Sequence, residues 1–250
     1  EQSPKRYYVA QTGLVGGQYP NHKTPMTFVG DKQLADGAKT LSVRFESPDM
    51  GGVKLVKTYT FERGSYVINV RHEVVNHSGA PVNAQLYQQL VRDGNAPEGE
   101  SSFYSTFTGP VVYSAESKYQ KVAFKDLEKA NAEYKKTAAD GYVAMVQHYF
   151  ASAWMMGTAG QQNGQQRDNY VRKDGDNLFA VGMLSNVPAV APGTTQAVDS
   201  RLFIGPQLEK SLETIQPGLE LVKDYGMFTV LAKPLYWLLN WLHWFLGNWG

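Results

Sequence analysis

The stretch "SYVINVRHEVV" (Ser65–Val75) does most to fix the fold class. In an extended chain Val67, Asn69, Arg71 and Glu73 point one way, while Tyr66, Ile68, Val70, His72 and Val74 point the other. That is a half-buried strand with its apolar side toward a core. The runs "LSVRFE", "VKLVKTYTFE" and "PVNAQLYQQLVR" show the same enrichment in Val, Ile, Tyr and Thr with partial alternation. Short Gly-containing connections ("SPDMGG", "RGS", "NHSGA") separate them and suit antiparallel hairpins. Further strands are expected near Ser102–Tyr113, Gly141–Trp154, Asn177–Ser185 and Thr195–Ile204. Helical periodicity marks Ser117–Lys136 and Gly205–Leu219, the second opened by Pro206 and closed by Pro217-Gly218. The first forty residues read as loops with one or two short strands, and Gly157–Asp168 as a polar Gln/Gly loop. No strand–helix alternation occurs, so a parallel sheet is not expected. The expected fold is mainly β, a large antiparallel sandwich with two peripheral helices.

Composition narrows the chemistry. The 24 basic and 23 acidic residues give a net charge of +1 without long like-charge runs, so nothing argues for a nucleic-acid partner. The absence of cysteine removes disulfides, thiolate metal sites and cysteine nucleophiles. There is no HExxH, GxSxG, Walker A or GxGxxG motif, and no His has a second His and a carboxylate at metal-ligand spacing. His72 and Glu73 are strand neighbours on opposite faces and cannot serve one site. His22 and His77 lie in turn-rich stretches, and His243 belongs to the C-terminal strip. Glu98 and Glu100 share a Pro- and Gly-rich loop and read as solvated. His148, alternating with aromatics in "MVQHYFASAW", is the best placed of the five histidines to line a cleft, but it lacks a paired acid. No cofactor, metal or catalytic residue is expected, and the chain does not read as an enzyme.

The chain ends in "KPLYWLLNWLHWFLGNWG", which holds four of the five tryptophans in its last fourteen residues and no charged side chain after Lys233. On a helical wheel Phe228, Leu231, Leu235, Leu238, Leu239, Leu242, Phe245 and Leu246 share one broad apolar arc. Lys233, Tyr236, Trp237, Asn240, His243 and Trp244 gather opposite, with Trp241 at the margin. Nineteen residues from 228 to 246 would extend roughly 28 Å, close to a bilayer core. A spanning helix would nevertheless bury Lys233 at a cost of about 3 kcal/mol at the centre. Tyr and Trp favour the membrane–water boundary because each ring joins apolar area to one polar handle. A helix in the plane of the membrane satisfies both faces. A helix docked on the domain's own surface and a truncated transmembrane segment are the alternatives. The N-terminus has no apolar signal-peptide core and reads as a start inside a larger protein.

The strings "TYTFERGSYVINV", "GYVAMVQHYFASAW", "VAPGTTQAVDSRLFIGPQ", "LELVKDYG" and above all the C-terminal strip resemble the YidC family of bacterial membrane protein insertases. The resemblance covers essentially the whole chain. It implies a periplasmic β-supersandwich, galactose mutarotase-like, over residues 1–222, without the N-terminal strands of the family domain. Residues 223–250 would be the membrane-interfacial helix followed by the start of the second transmembrane helix. It implies an inner-membrane location facing the periplasm, and a non-catalytic scaffold role in inserting and folding membrane proteins. The implied partners are the Sec translocon components SecDF and SecYEG, nascent membrane proteins and the lipid surface. The family's insertion groove has no counterpart in these residues. The region Tyr104–Tyr149 would correspond to the Sec-associated surface, for which Tyr104, Phe107, Tyr113, Tyr119, Phe124 and His148 are candidates. A carbohydrate- or peptide-binding sandwich, stacking a ligand on Tyr104 and Tyr113, is the competing reading.

Overall fold

Strand-forming runs fill most of the chain in the computed structural model, which describes residues 6–96, 107–159 and 164–223. In the C-terminal segment it describes Pro234, Trp237, Leu238, Leu239, Trp241, Leu242 and Trp244. In chain order the strands are β1 (Tyr8–Val15), β2 (Thr27–Val29), β3 (Thr40–Glu46), β4 (Val53–Glu62), β5 (Val67–Asn76), β6 (Gln85–Asp93) and β7 (Gly109–Ser114). They continue with β8 (Lys118–Lys121), β9 (Thr137–Ala138), β10 (Tyr142–Val146), β11 (Phe150–Met156), β12 (Arg167–Gly175), β13 (Leu178–Asn186) and β14 (Thr195–Pro206). Two short helices, α1 (Phe124–Glu128) and α2 (Glu209–Ile215), and a 3-10 turn at Leu219–Val222 complete the described elements.

The strands form two antiparallel sheets. One has five strands in the order β1-β6-β13-β12-β9; the other has nine, β2-β3-β4-β5-β14-β11-β10-β7-β8. The main core lies between them. Leu14, Leu86, Leu90, Val181 and Met183 of the smaller sheet share it with Leu55, Val70, Val74, Trp154 and Leu202 of the larger. In β5 the alternation holds: Val70, His72 and Val74 are buried while Asn69 and Arg71 are exposed. The expected antiparallel sandwich is therefore correct.

A polar bridge crosses this core. Lys57 Nζ on β4 donates to the Thr12 carbonyl on β1 at 2.7 Å, and His72 Nε2 on β5 sits 3.0 Å from Thr12 Oγ1. Burial pushes Lys57 down to about 8. Burial, helped by the neighbouring Lys57 charge, pushes His72 down to about 3. His72 is thus a fully buried core residue.

A second core covers the outer face of the larger sheet. Tyr142, Ala144 and Val146 of β10 enter it, while Val143 and Met145 enter the first, so this strand is buried on both sides. The cover is α2 and the 3-10 turn, through Leu212, Leu219 and Val222. Arg201 on β14 locks the cover by donating to the Ile215 carbonyl at 2.8 Å and to Gln216 Oε1 at 2.7 Å. Tyr142 Oη donates to the Gly218 carbonyl at 2.8 Å. Gly218 has φ +85° and the Tyr113 ring against it, so a Cβ would sit 2.1 Å from that ring. Gly218→Ala is expected to cost about 2 kcal/mol from the left-handed backbone alone. Thermal melting should show this as a Tm lower by at least roughly 4 °C.

Several expectations need correction. Ser117–Lys136 is not one helix: Lys118–Lys121 pairs with β7, and only Phe124–Glu128 is helical. Tyr119 and Val122 belong to the hairpin arm, and Ala130 at φ +54° follows the end of α1. Gly141–Trp154 is two strands, with a turn closed by the Gln147 N–H donating to the Phe150 carbonyl. Within Gly205–Leu219, Pro206 ends β14 and the helix starts at Glu209. Tyr8–Val15 is a full eight-residue strand, and Arg167–Gly175 is a strand where no strand was expected. In β12 the inward positions are Arg167, Asn169 and Val171, so no apolar alternation betrays it.

Candidate membrane-facing segment and cleft

The clamp on the outer face delivers the chain to Lys223, where the continuous described backbone ends. Beyond it, Pro234, Trp237, Leu238, Leu239, Trp241, Leu242 and Trp244 are helical. Trp237 is 69% exposed and Trp244 81%, on the arc opposite the leucines. Leu238, Leu239 and Trp241 are also exposed, so both faces lie open to solvent at these positions. No helix among the described residues is long and apolar enough to cross a membrane. Phe228, Leu231, Lys233, Leu235, Tyr236, Phe245 and Leu246 lie outside the described residues.

The five described candidate partner residues, Phe107, Tyr113, Tyr119, Phe124 and His148, do not form one surface. Tyr113 is buried in the outer core, stacked on Tyr142 at 5.0 Å between ring centroids. It is closed off by the Gly218 segment and cannot stack on a ligand or partner. Phe124 packs on the opposite side, against Phe179 at 4.4 Å in the inner core. Phe107 and Tyr119 are partly buried against the outer core. His148 sits in the β10–β11 turn, with its ring 4.0 Å from that of Tyr149, and not on a strand lining a cleft. Tyr104, Glu98, Glu100 and His243 lie outside the described residues. His77 is exposed and bonded to Asp49 Oδ2 at 2.7 Å.

A cleft of about 670 Å³ lies across β1, β6, β12 and β13 and the loop after β1, bordered by Tyr19, His22, Tyr87, Gln89, Tyr170 and Arg172. Tyr87 and Gln89 alternate with the core residues Leu86 and Leu90, so they project away from the interior. The Tyr170 hydroxyl donates to Gln89 Oε1 at 2.8 Å, and Gln89 Nε2 donates to Gln11 Oε1 at 2.7 Å. Tyr87 Oη accepts the His22 backbone N–H at 2.9 Å and lies 2.5 Å from His22 Nδ1. Burial lowers the His22 pKa, helped by Lys23 and Lys57, while burial raises those of Tyr87 and Tyr170. At neutral pH the site therefore joins phenols, an amide and a neutral imidazole to a border that carries Lys23, Asp168 and the Arg172 guanidinium, able to stack on and hydrogen-bond a polar ligand. Sequence reading missed it because its parts come from distant segments; the one local signal is Tyr87 set between Gln85 and Gln89 on a single strand face of "QLYQQL". Tyr87→Phe should cost about 1 kcal/mol and speed amide exchange in the loop around His22. Among the described residues no group of three His, Asp or Glu could hold a metal ion.

A family model described as the YidC periplasmic domain matches residues 1–238. "Membrane protein insertase YidC" of Janthinobacterium sp. (strain Marseille) is 47% identical over 250 residues, covering 100% of this chain and 43% of that protein. The Burkholderia thailandensis protein of the same name is 51% identical over 244 residues, covering 97% of this chain and 43% of that one. The chain thus spans less than half the length of these relatives. Among solved structures, a galactose mutarotase related enzyme from Lactobacillus acidophilus is 9% identical with a TM-score of 0.43, covering 74% of this chain and 72% of that one. A galactose mutarotase-like protein from Lactobacillus casei gives 10% and 0.41, with coverage of 80% and 85%. Likeness at that level says nothing about chemistry. Identity near one half over the full chain does decide descent: the chain belongs to the YidC family, whose periplasmic domain it matches.

Proposed function

We propose that the chain is the periplasmic part of a bacterial inner-membrane protein insertase and acts as a non-catalytic scaffold. Residues 1–222 are the sandwich, and residues 223–250 carry a helix that lies on the periplasmic membrane surface before the next membrane-spanning element. The observation that carries this reading is the exposed Trp and Leu set, Trp237 to Trp244, following a clamped outer face. Open Leu and Trp faces disfavour a helix docked on the domain and suit a lipid boundary, where tryptophan rings lie at headgroup depth. The whole protein would assist insertion and folding of nascent membrane proteins, alone or with SecDF and SecYEG. Photocrosslinking in cells tests the partner part, with probes at Lys125, Glu128 and Trp241 of the full-length protein. Adducts with Sec subunits or a nascent membrane protein are expected, and adducts with neither from any probe would refute it.

A second reading is favoured by the cleft at Tyr87 and Tyr170, which has the stacking rings and amide of a saccharide or peptide site. Calorimetric titration with hexoses and short peptides tests it. Saturable heat that Tyr170→Ala abolishes would support it, and no heat with any of them would remove it.

A further inference from the structure

Five of the exposed large hydrophobic residues, Tyr66, Tyr149, Phe150, Ile204 and Leu208, come together at one end of the nine-stranded sheet. Phe150 pairs with Pro206 across β11 and β14, and the Ile204 N–H donates to the Tyr66 carbonyl at 3.0 Å. The Tyr66 ring lies against Gly205, where a Cβ would meet it at 2.7 Å. Gln207 holds the β10–β11 turn from below. Its backbone N–H donates to the Tyr149 carbonyl at 3.0 Å, and its Nε2 donates to the Gln147 carbonyl at 2.7 Å and the Phe150 carbonyl at 3.2 Å. Tyr149, 69% exposed, and Phe150, 58% exposed, are thus held out on a hairpin tip whose backbone is fixed.

Two further observations say what covers this tip. The first is charge: no Asp, Glu, Lys or Arg occurs between Asp140 and Arg167, or between Arg201 and Glu209. The tip can approach an apolar phase without dehydrating a charge carried by either segment. The second is position. Lys223 Nζ lies 4.0 Å from Glu209 Oε2, next to Leu208, so the chain leaves the sandwich toward its Trp-rich segment beside this patch.

We propose that the surface formed by Tyr66, Tyr149, Phe150, Ile204 and Leu208 docks on the lipid bilayer, as a second contact beside the exit of the C-terminal segment. The proposal rests on the reading of that segment as membrane-interfacial. Phenol and phenyl rings next to aliphatic side chains, with charge confined to the rim at Glu62, Arg63, Glu209 and Lys223, are what the headgroup–acyl boundary accepts. Two separate contacts would also fix the tilt of the sandwich over the membrane, which one helix joined through a chain segment does not.

The cysteine-free sequence makes the test direct. Four single-cysteine variants of the full chain, Phe150→Cys, Leu208→Cys, Trp241→Cys and Gly79→Cys, are labelled with an environment-sensitive fluorophore. They are mixed with phosphatidylethanolamine–phosphatidylglycerol vesicles. Gly79 is exposed in the turn after β5, at the far end of that strand, roughly 30 Å from the patch by strand rise. Positions 150 and 208 are expected to brighten several-fold and shift to shorter wavelength, with position 79 unchanged. A response at 241 without one at 150 or 208 would overturn the proposal and leave the interfacial helix standing. A response at 150 and 208 without one at 241 would support the proposal and remove the helix reading. Silence at all four positions would overturn both. Emission already shifted before vesicles are added would show the patch covered by the C-terminal segment or a second copy, and would also overturn it.

Discussion

Replacing Trp237, Trp241 and Trp244 together by serine is expected to lower the partition of the chain onto phosphatidylethanolamine–phosphatidylglycerol vesicles by about a hundredfold. Each ring that moves from water to the headgroup–acyl boundary is only partly dehydrated, so about 1 kcal/mol apiece is a fair assignment. Three such losses amount to two factors of ten. The three rings are exposed and take no part in either core, so the sandwich should keep its near-ultraviolet dichroism. Co-sedimentation of the two proteins over a lipid titration measures the effect. Equal partition would mean that the tryptophans do not face lipid.

Acid should destabilise the sandwich through His72. Its pKa is held near 3 by burial beside the Lys57 ammonium, against about 6.5 in an unfolded chain. Between those values the unfolded state binds a proton that the folded state refuses. The stabilisation is therefore complete above pH 6.5 and is lost as pH falls toward 3. One proton corresponds to about 1.4 kcal/mol per pH unit, so the full loss approaches 5 kcal/mol, a large share of a domain's net stability. Lys57 adds to this because it is charged throughout that window, its own pKa having fallen only to about 8. Urea unfolding of the parent and of His72→Gln at pH 7, 6 and 5 isolates the contribution. The parent should weaken by about 1 kcal/mol more per unit than the variant below pH 6. Parallel curves would show that His72 takes up its proton in the folded state.

Much of the β architecture was legible because period-two alternation survives wherever one strand face is wet. In β5 that holds from Asn69 to Val74. It failed where the physics differs. β12 turns Arg167 and Asn169 inward, where each donates to a backbone carbonyl, Asp140 for the arginine and Lys135 for the asparagine at 3.1 Å, while Arg167 Nε and Asn169 Oδ1 stay buried without a partner. A strand with polar groups on its inner face leaves no hydrophobic signature. In Ser117–Lys136 the apolar residues Tyr119, Val122, Phe124 and Leu127 happen to fall near helical spacing. Yet Tyr119 faces one core across a hairpin while Phe124 and Leu127 reach the other. The helical conformation of the Trp-rich strip, seen at its described positions, could be read because amphipathic spacing is local. The cleft at Tyr87 and the apolar tip at Phe150 could not, because each exists only once strands distant in sequence have been paired.

The clamp ties the local reading to the global one. Arg201, Tyr142 and Gly218 hold the last part of the sandwich to its outer face, so the aromatic segment leaves from a fixed point rather than from a loose end. The most direct test of a membrane-lying segment uses the chain's own tryptophans. Trp154 is 1% exposed inside the first core, whereas the other four belong to the C-terminal strip. Emission is recorded on vesicles whose acyl chains carry bromine at a series of depths. Strong quenching by shallow bromines, weaker quenching by deep ones, and none for a chain truncated after Lys223 is the expected result. Emission that no bromine alters, or quenching strongest at the bilayer centre, would contradict an in-plane helix.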